Sequence, residues 1–98
     1  MDVILSMPWP LRPEAEKAFL MRCRELAEQG EERVLIRCDE TPHPSTRVLT
    51  LLLNIAHLAP YGPPQWRVID AQENLLEALR LTGLDHWFKN GTDEEAVA

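Results

Sequence analysis

Residues 33–38 read RVLIRC, and this hexapeptide decides the class of fold. Its centre, Val34-Leu35-Ile36, is an unbroken β-favouring run and does not alternate between apolar and polar residues. Strands that are buried on both faces have this pattern, and they are typical of the middle of a partly parallel sheet. We therefore predict that this segment is a central strand with both of its faces covered.

The residues after this strand predict a loop, a buried helix and a second strand. The loop reads DETPHP, and the helix from about Ser45 to Ala59 is apolar nearly all the way round. Pro60 ends that helix, and the segment WRVID, with Val68-Ile69 at its centre, has the composition of a strand. Three polar residues of the helix, spaced by four and three, are expected to share one narrow face. They are Thr50, Asn54 and His57.

Two amphipathic helices flank this central region. The first begins at Pro13, which suits the first turn of a helix, and ends at Gly30, which suits a left-handed cap. The second covers residues 72–82 and is closed by Gly83. A short β-favouring run, Val3-Ile4-Leu5, precedes the first helix. Each of the three predicted helices therefore follows a predicted strand.

The end of the chain predicts a short strand, a turn and the start of a helix. Residues 86–88, HWF, are consistent with a last short strand, and Asn90-Gly91 with a turn. Thr92 and Glu95 match a capping box, so a final helix is expected to begin there. The predicted order is β-α-β-α-β-α-(β)-α in a single domain, residues 1–98. Alternating strands and helices indicate an α/β fold, here a small mixed β-sheet with helices packed on it.

Composition bounds the class of function. The chain has 98 residues, of which 45% are hydrophobic and 27% charged, as in ordinary globular domains. Its formal net charge of −6 would repel nucleic-acid phosphates, and its Arg and Lys residues do not cluster in a stripe. We therefore predict that nucleic acid is not a partner.

Three features of the sequence indicate where the protein is located: its apolar runs, its first ten residues and its cysteines. The longest apolar run, Leu51 to Ala56, contains Asn54 and is too short to span a bilayer. The first ten residues carry an acid where a signal peptide needs positive charge. Cys23 and Cys38 are well separated and form no CxxC motif, which is typical of a reducing compartment. We predict a cytoplasmic protein with no direct membrane insertion.

Three segments give the chain a resemblance to the STAS family, whose members include bacterial anti-sigma factor antagonists. RVLIRC resembles the central strand of that family. PSTRVLTLLLNIAHLA lies where the family has a loop ending in Asp-Ser-Ser/Thr-Gly, followed by an apolar helix. NLLEALRLTGLDHWFKNGTDEEAVA is similar to the carboxyl-terminal part of the family, where a leucine-rich helix leads into Thr-Gly-Leu, an aromatic residue and an acidic segment. The likeness covers roughly residues 13–98, and one short strand precedes the first helix where the family has two.

The resemblance implies a non-enzymatic module that binds a serine-kinase-type anti-sigma factor and is released when a hydroxyl at the helix start is phosphorylated. One alignment places Thr46 on the phosphoacceptor, and an alignment shifted by one residue places Ser45 there. In the first alignment Pro44 replaces the family Asp and Arg47 replaces the family Gly, whereas in the second His43 takes the place of the Asp. The residues expected to bind the partner are His43, Pro44, Arg47 and Asn54.

The same hydroxyls have a second, structural interpretation. A Ser or Thr at a helix N-cap accepts a hydrogen bond from the helix backbone, which stabilises the protein by about 1 kcal/mol. Capping alone is enough to explain a Ser-Thr pair at this position. The two roles are compatible, because one hydroxyl can cap the helix in one state and carry phosphate in another.

Two alternative functions remain open, one within the same family resemblance and one from another class of protein. Some STAS modules are accessory subunits of lipid-transport ATPases, and this chain could belong to that group. A small enzyme could instead use Cys38 and His43 as a nucleophile and base, although their spacing matches no defensible motif. His57 and His86 are too far from His43 in sequence to suggest a metal site, and the glycines form no phosphate-binding loop. We predict no metal and no cofactor, and the sequence does not define the oligomeric state.

Overall fold

The computed structural model of the protein describes residues 2–41, 45–58 and 64–90. Over these residues the chain alternates between strands and helices, which confirms the predicted α/β class. The final helix predicted from Thr92 lies outside the described residues. The elements are β1 (Asp2–Ser6), α1 (Pro13–Glu28), β2 (Arg33–Arg37), α2 (Thr46–Ala56), β3 (Gln65–Ile69), α3 (Glu73–Thr82), a 3₁₀ helix (Leu84–His86) and β4 (Lys89–Asn90).

The strands lie in the sheet in the same order as in the chain, β1-β2-β3-β4. All of the described strands are parallel, whereas a mixed sheet was expected. The physical reason is the nature of the connections. An antiparallel pair can be joined by a tight turn, but a parallel pair needs a crossover, and every connection between the described strands contains a helix.

One face of the sheet carries the hydrophobic core. Adjacent parallel strands joined by right-handed crossovers have their helices on the same face, and the three described α-helices all contribute to a single core cluster. The register aligns two rows of strand residues on this face, which are Val3, Val34 and Trp66, then Leu5, Ile36 and Val68. The buried helix residues packed with them are Phe19, Cys23, Leu26, Val48, Leu51, Leu52, Ile55, Ala56, Leu75 and Leu79.

The other face of the sheet, the outer face, carries no described helix. Its residues, read by register, are Asp2, Arg33 and Gln65, then Ile4, Leu35 and Arg67, then Ser6, Arg37 and Ile69. Leu35 is only half-buried, so the prediction that β2 is covered on both faces is wrong. The outer face is covered near β3, where Arg67 is 3% exposed, and open at β1, where Ile4 is 51% exposed.

The helix boundaries follow local stop signals. Helix α1 begins at Pro13 as predicted, and Gly30 adopts the left-handed conformation with φ 74° just after it. Helix α3 ends at Gly83, whose φ of 79° is left-handed, and this ending was also predicted. Helix α2 ends at Ala56 and is followed by a turn, earlier than the predicted end at Ala59, a residue outside the described ranges.

The strand predicted over residues 86–88 is wrong. The backbone N–H groups of Trp87 and Phe88 both donate to the carbonyl oxygen of Leu84, at 2.9 and 3.1 Å. These bonds keep the chain in a tight turn through Phe88, so the short strand begins only at Lys89. The residues HWF do not by themselves predict this turn. The turn follows the left-handed backbone of Gly83, which is the N-cap of the 3₁₀ helix.

Candidate functional site

The start of α2 is capped by Ser45. Its backbone is extended, and its Oγ accepts a hydrogen bond from the backbone N–H of Val48 at 3.2 Å. Thr46 is the first helical residue and is exposed. Of the two hydroxyls considered for capping, the structure assigns this role to Ser45, because only an N-cap side chain can reach the free N–H groups of the first turn.

Arg47 joins the amino-terminal ends of two helices. Its Nε donates to Oε2 of Glu16 on α1 at 2.9 Å. The side chain of Arg47 is 51% exposed and that of Glu16 is 26% exposed, so the pair lies at the surface. A guanidinium is therefore held in position two residues from Ser45. Glu16 was not among the predicted site residues.

Helix α2 has one exposed face, which we name the α2 ridge. The polar residues predicted to share a face, Thr50, Asn54 and His57, are all exposed and belong to it. Leu53 lies among them and is 40% exposed, which makes it one of the few large hydrophobic residues at the surface of the described protein. The α2 ridge consists of Thr46, Thr50, Leu53, Asn54 and His57.

The predicted partner-binding residues divide into two groups. His43 and Pro44 lie outside the described residues. Arg47 and Asn54 lie on the same side of α2, because seven residues correspond to about two turns. Thr46 is the helical residue next to Arg47, and Ser45 caps the amino-terminal end of the same helix.

The thiol proposed for catalysis is buried. Cys38 is fully buried at the end of β2, and its Sγ lies 3.8 Å from the carbonyl oxygen of Ile36. Burial, with a smaller contribution from the charge of Asp39, raises the pKa of the Cys38 thiol to about 12. The thiol is therefore protonated at neutral pH and has none of the thiolate character of a nucleophile.

The described ranges 2–41, 45–58 and 64–90 lack both a metal-binding cluster and a membrane-spanning helix. No group of three or more His, Cys, Asp or Glu residues there could hold a metal ion. No helix in the same ranges is long and apolar enough to cross a membrane.

Comparison with known proteins adds no family assignment. No protein-family model, curated protein or solved structure matches the chain. The class that the described part of the chain defines is a small α/β domain with a parallel sheet and, within those residues, one layer of helices. The likeness to the STAS family therefore depends on the three segments quoted above.

Proposed function

We propose that the protein is a non-enzymatic binding module with a role like that of anti-sigma factor antagonists. It binds a protein partner, of the serine-kinase anti-sigma type, through the α2 ridge and the amino-terminal end of α2. The observation that best supports this proposal is the exposure of Leu53, 40%, on a helix whose opposite side is core. The other exposed large apolar side chains of the described protein are Ile4, Trp9, Met21 and Leu81, and none of them lies on α2.

The chemistry of the α2 ridge suits a protein partner. Leu53 is an apolar contact, and Thr50 and Asn54 beside it offer hydrogen-bonding groups. Protein interfaces commonly combine an apolar centre with a polar rim of this kind. His57 closes the ridge, and its Nδ1 lies 2.9 Å from the carbonyl oxygen of Leu53, so its ring is held against the helix end.

A hydroxyl at the start of α2 provides the regulated group. Phosphate on Ser45 or Thr46 would add about −1.5 to −2 charges at the positive end of the helix, where an anion is favourable. Arg47 is close enough along the chain to exchange Glu16 for the phosphate. The domain would tolerate the modification, and the added charge would act on the partner.

The enzyme alternative has less support. A Cys38 nucleophile needs a thiolate that substrate can reach, and this thiol is buried with its pKa raised to about 12. We therefore favour a binding function over catalysis by Cys38 and His43.

The proposal is tested by recovering the partner from native cell extract with wild type, Ser45→Ala, Thr46→Ala, Ser45→Glu and Thr46→Glu. Glutamate at the regulated position should weaken binding by about 2–5 kcal/mol, because an uncompensated charge is buried against the partner. Alanine should bind nearly normally. Mass spectrometry identifies the partner, and circular dichroism checks each fold.

A matched control separates a local effect from a general effect of charge. Gln72 is the exposed N-cap of α3, so Gln72→Glu adds the same charge at another helix start. It should recover the partner as well as wild type does. If wild type and the four variants at Ser45 and Thr46 all recover the same partner equally, the start of α2 is not part of the interface.

A further inference from the structure

Strand β1 leaves one edge of the sheet open. Among the described strands it pairs only with β2. Sheet edges are usually protected by proline, by lysine or by an inward-pointing charge, since an unpaired edge invites another strand. The segment DVILS of β1 contains none of these between Val3 and Leu5. The opposite edge, β4, is described for only two residues, so β1 is the longer of the two described edges.

The side chains of β1 are buried less than those of its neighbour. Val3 and Leu5 face the core but are only partly buried, while Val34 and Ile36 beside them in the register are fully buried. Ile4, on the outer face, is 51% exposed. The edge therefore presents apolar surface on both faces of the sheet, and one more strand would cover it.

We propose that this strand is β1 of a second copy of the chain, paired antiparallel across a two-fold axis at Ile4. Symmetry then defines every pair, because a two-fold axis matches the same strand to itself. Ile4 faces Ile4 of the second copy, Val3 faces Leu5, and Asp2 faces Ser6. The two parallel sheets join into one continuous sheet.

The charges favour this register. The Asp2 carboxylate, which accepts two hydrogen bonds from Arg33 at 2.9 and 2.8 Å, would lie opposite the Ser6 hydroxyl of the second copy. Ser6 can donate to that carboxylate, and the next residue in its row is Arg37. A register shifted by two residues would instead place Asp2 against Ile4, which sets a charge against an apolar side chain.

The interface is small, so the dimer is weak. A five-residue edge with Ile4 and its outer-face neighbour Leu35 falls at the low end of specific interface sizes, for which dissociation constants are about micromolar or weaker. The α2 ridge stays free, because α2 connects the two central strands and lies away from the β1 edge. The dimer is therefore independent of the function proposed above.

Sedimentation of the full chain over a series of concentrations tests the proposal. Wild type should show a reversible monomer–dimer equilibrium. Ile4→Lys places two like charges together at the axis and should raise the dissociation constant by more than about tenfold. Leu81→Lys makes the same change at a 78% exposed site on α3 and should leave the constant unchanged. A wild type that stays monomeric up to about 1 mM, whether or not it binds other proteins there, overturns the proposal.

A second pair of variants tests the register and covers the case in which Ile4→Lys does not fold. Ser6→Asp should weaken the dimer roughly threefold to tenfold, because it opposes Asp2 twice across the axis, and Ser6→Lys should strengthen it. Asn74→Asp and Asn74→Lys change the net charge equally at an exposed site on α3 and should have little effect. Equal shifts in the Ser6 and Asn74 pairs would mean that only net charge matters, which overturns the proposed register.

Discussion

The guanidinium of Arg47 lies 2.9 Å from the carboxylate of Glu16, and this ion pair links the amino-terminal ends of α2 and α1. The first turn of α2 contains no acidic residue, so Arg47 on its own would oppose the positive end of the helix dipole. Glu16 supplies the missing negative charge from a different helix, 31 residues earlier in the chain. Glu16 of α1 thus offsets the unfavourable positive charge of Arg47 at the start of α2.

This ion pair should contribute little to stability. A double-mutant cycle of Arg47→Ala and Glu16→Ala is expected to give a coupling energy of about 0.2–1 kcal/mol, because both side chains are partly exposed. Urea unfolding of the four proteins measures it. The helical pair Arg22 and Glu25, 3.7 Å apart, serves as a comparison and should couple no more strongly. A coupling energy well above this range would indicate that the ion pair is more buried from solvent than the structure shows.

Removal of the Ser45 cap of α2 should reduce the stability of the protein more than removal of the neighbouring Thr46 hydroxyl. Ser45→Ala should lower the free energy of unfolding by about 1 kcal/mol, because the Val48 N–H loses its acceptor. Thr46→Ala should change it by less than about 0.5 kcal/mol, since Thr46 is exposed inside the first turn. Urea unfolding compares the two variants. If they have equal stability, Ser45 does not act as the cap in solution.

Two adjacent leucines of α2 should differ strongly in how much each contributes to the stability of the protein. Leu52 is fully buried, so Leu52→Ala should lower the free energy of unfolding by about 2–5 kcal/mol. Leu53 is 40% exposed, and Leu53→Ala should lower it by less than about 1 kcal/mol. The two changes remove the same atoms from the same helix. Similar losses for both would mean that the helix is rotated from the orientation described.

The buried thiols predict a fall in stability at alkaline pH. Burial raises the pKa of Cys23 and Cys38 from 9.0 to about 12. Below pH 9 both states keep the thiol protons, so there is no effect. Between pH 9 and 12 only the unfolded chain releases them, and stability falls as the pH rises.

Urea unfolding at about pH 8 and about pH 10.5 measures this fall. Other groups titrate in the same window, so a variant with both Cys23→Ala and Cys38→Ala isolates the contribution of the thiols. That variant should be less stable at both pH values but should lose less stability between them. An equal loss in the two proteins would show that the thiols are not buried.

The sequence predicted the parts of the fold that depend on local chemistry. Pro13 and Gly83 mark helix ends because each restricts or permits particular backbone angles wherever it occurs. The covering of β2 on both faces was a different kind of prediction. It required a second layer of helices, and nothing in RVLIRC itself reports whether another part of the chain provides one. The half-burial of Leu35 records that this layer is missing from the described structure.

The candidate site also contains some residues that the sequence can reveal and one that it cannot. Ser45 was a visible cap candidate, because its role depends on its own helix. Leu53 could have been found from the sequence, since it lies seven residues, about two turns, after Thr46. Glu16 could not have been found, because its contact with Arg47 exists only once α1 and α2 are packed side by side.

The match between strand order and chain order bears on how the protein is made. No described strand has to enter between two strands that are already paired, since each one adds to the edge formed by the strand before it. During synthesis from the amino terminus, every β-α unit that leaves the ribosome can therefore dock on a finished neighbour. The partners Val3 and Val34, and then Val34 and Trp66, are also only about thirty residues apart, which keeps the closing loops short. We expect the sheet to grow in one direction, strand by strand, as the chain emerges.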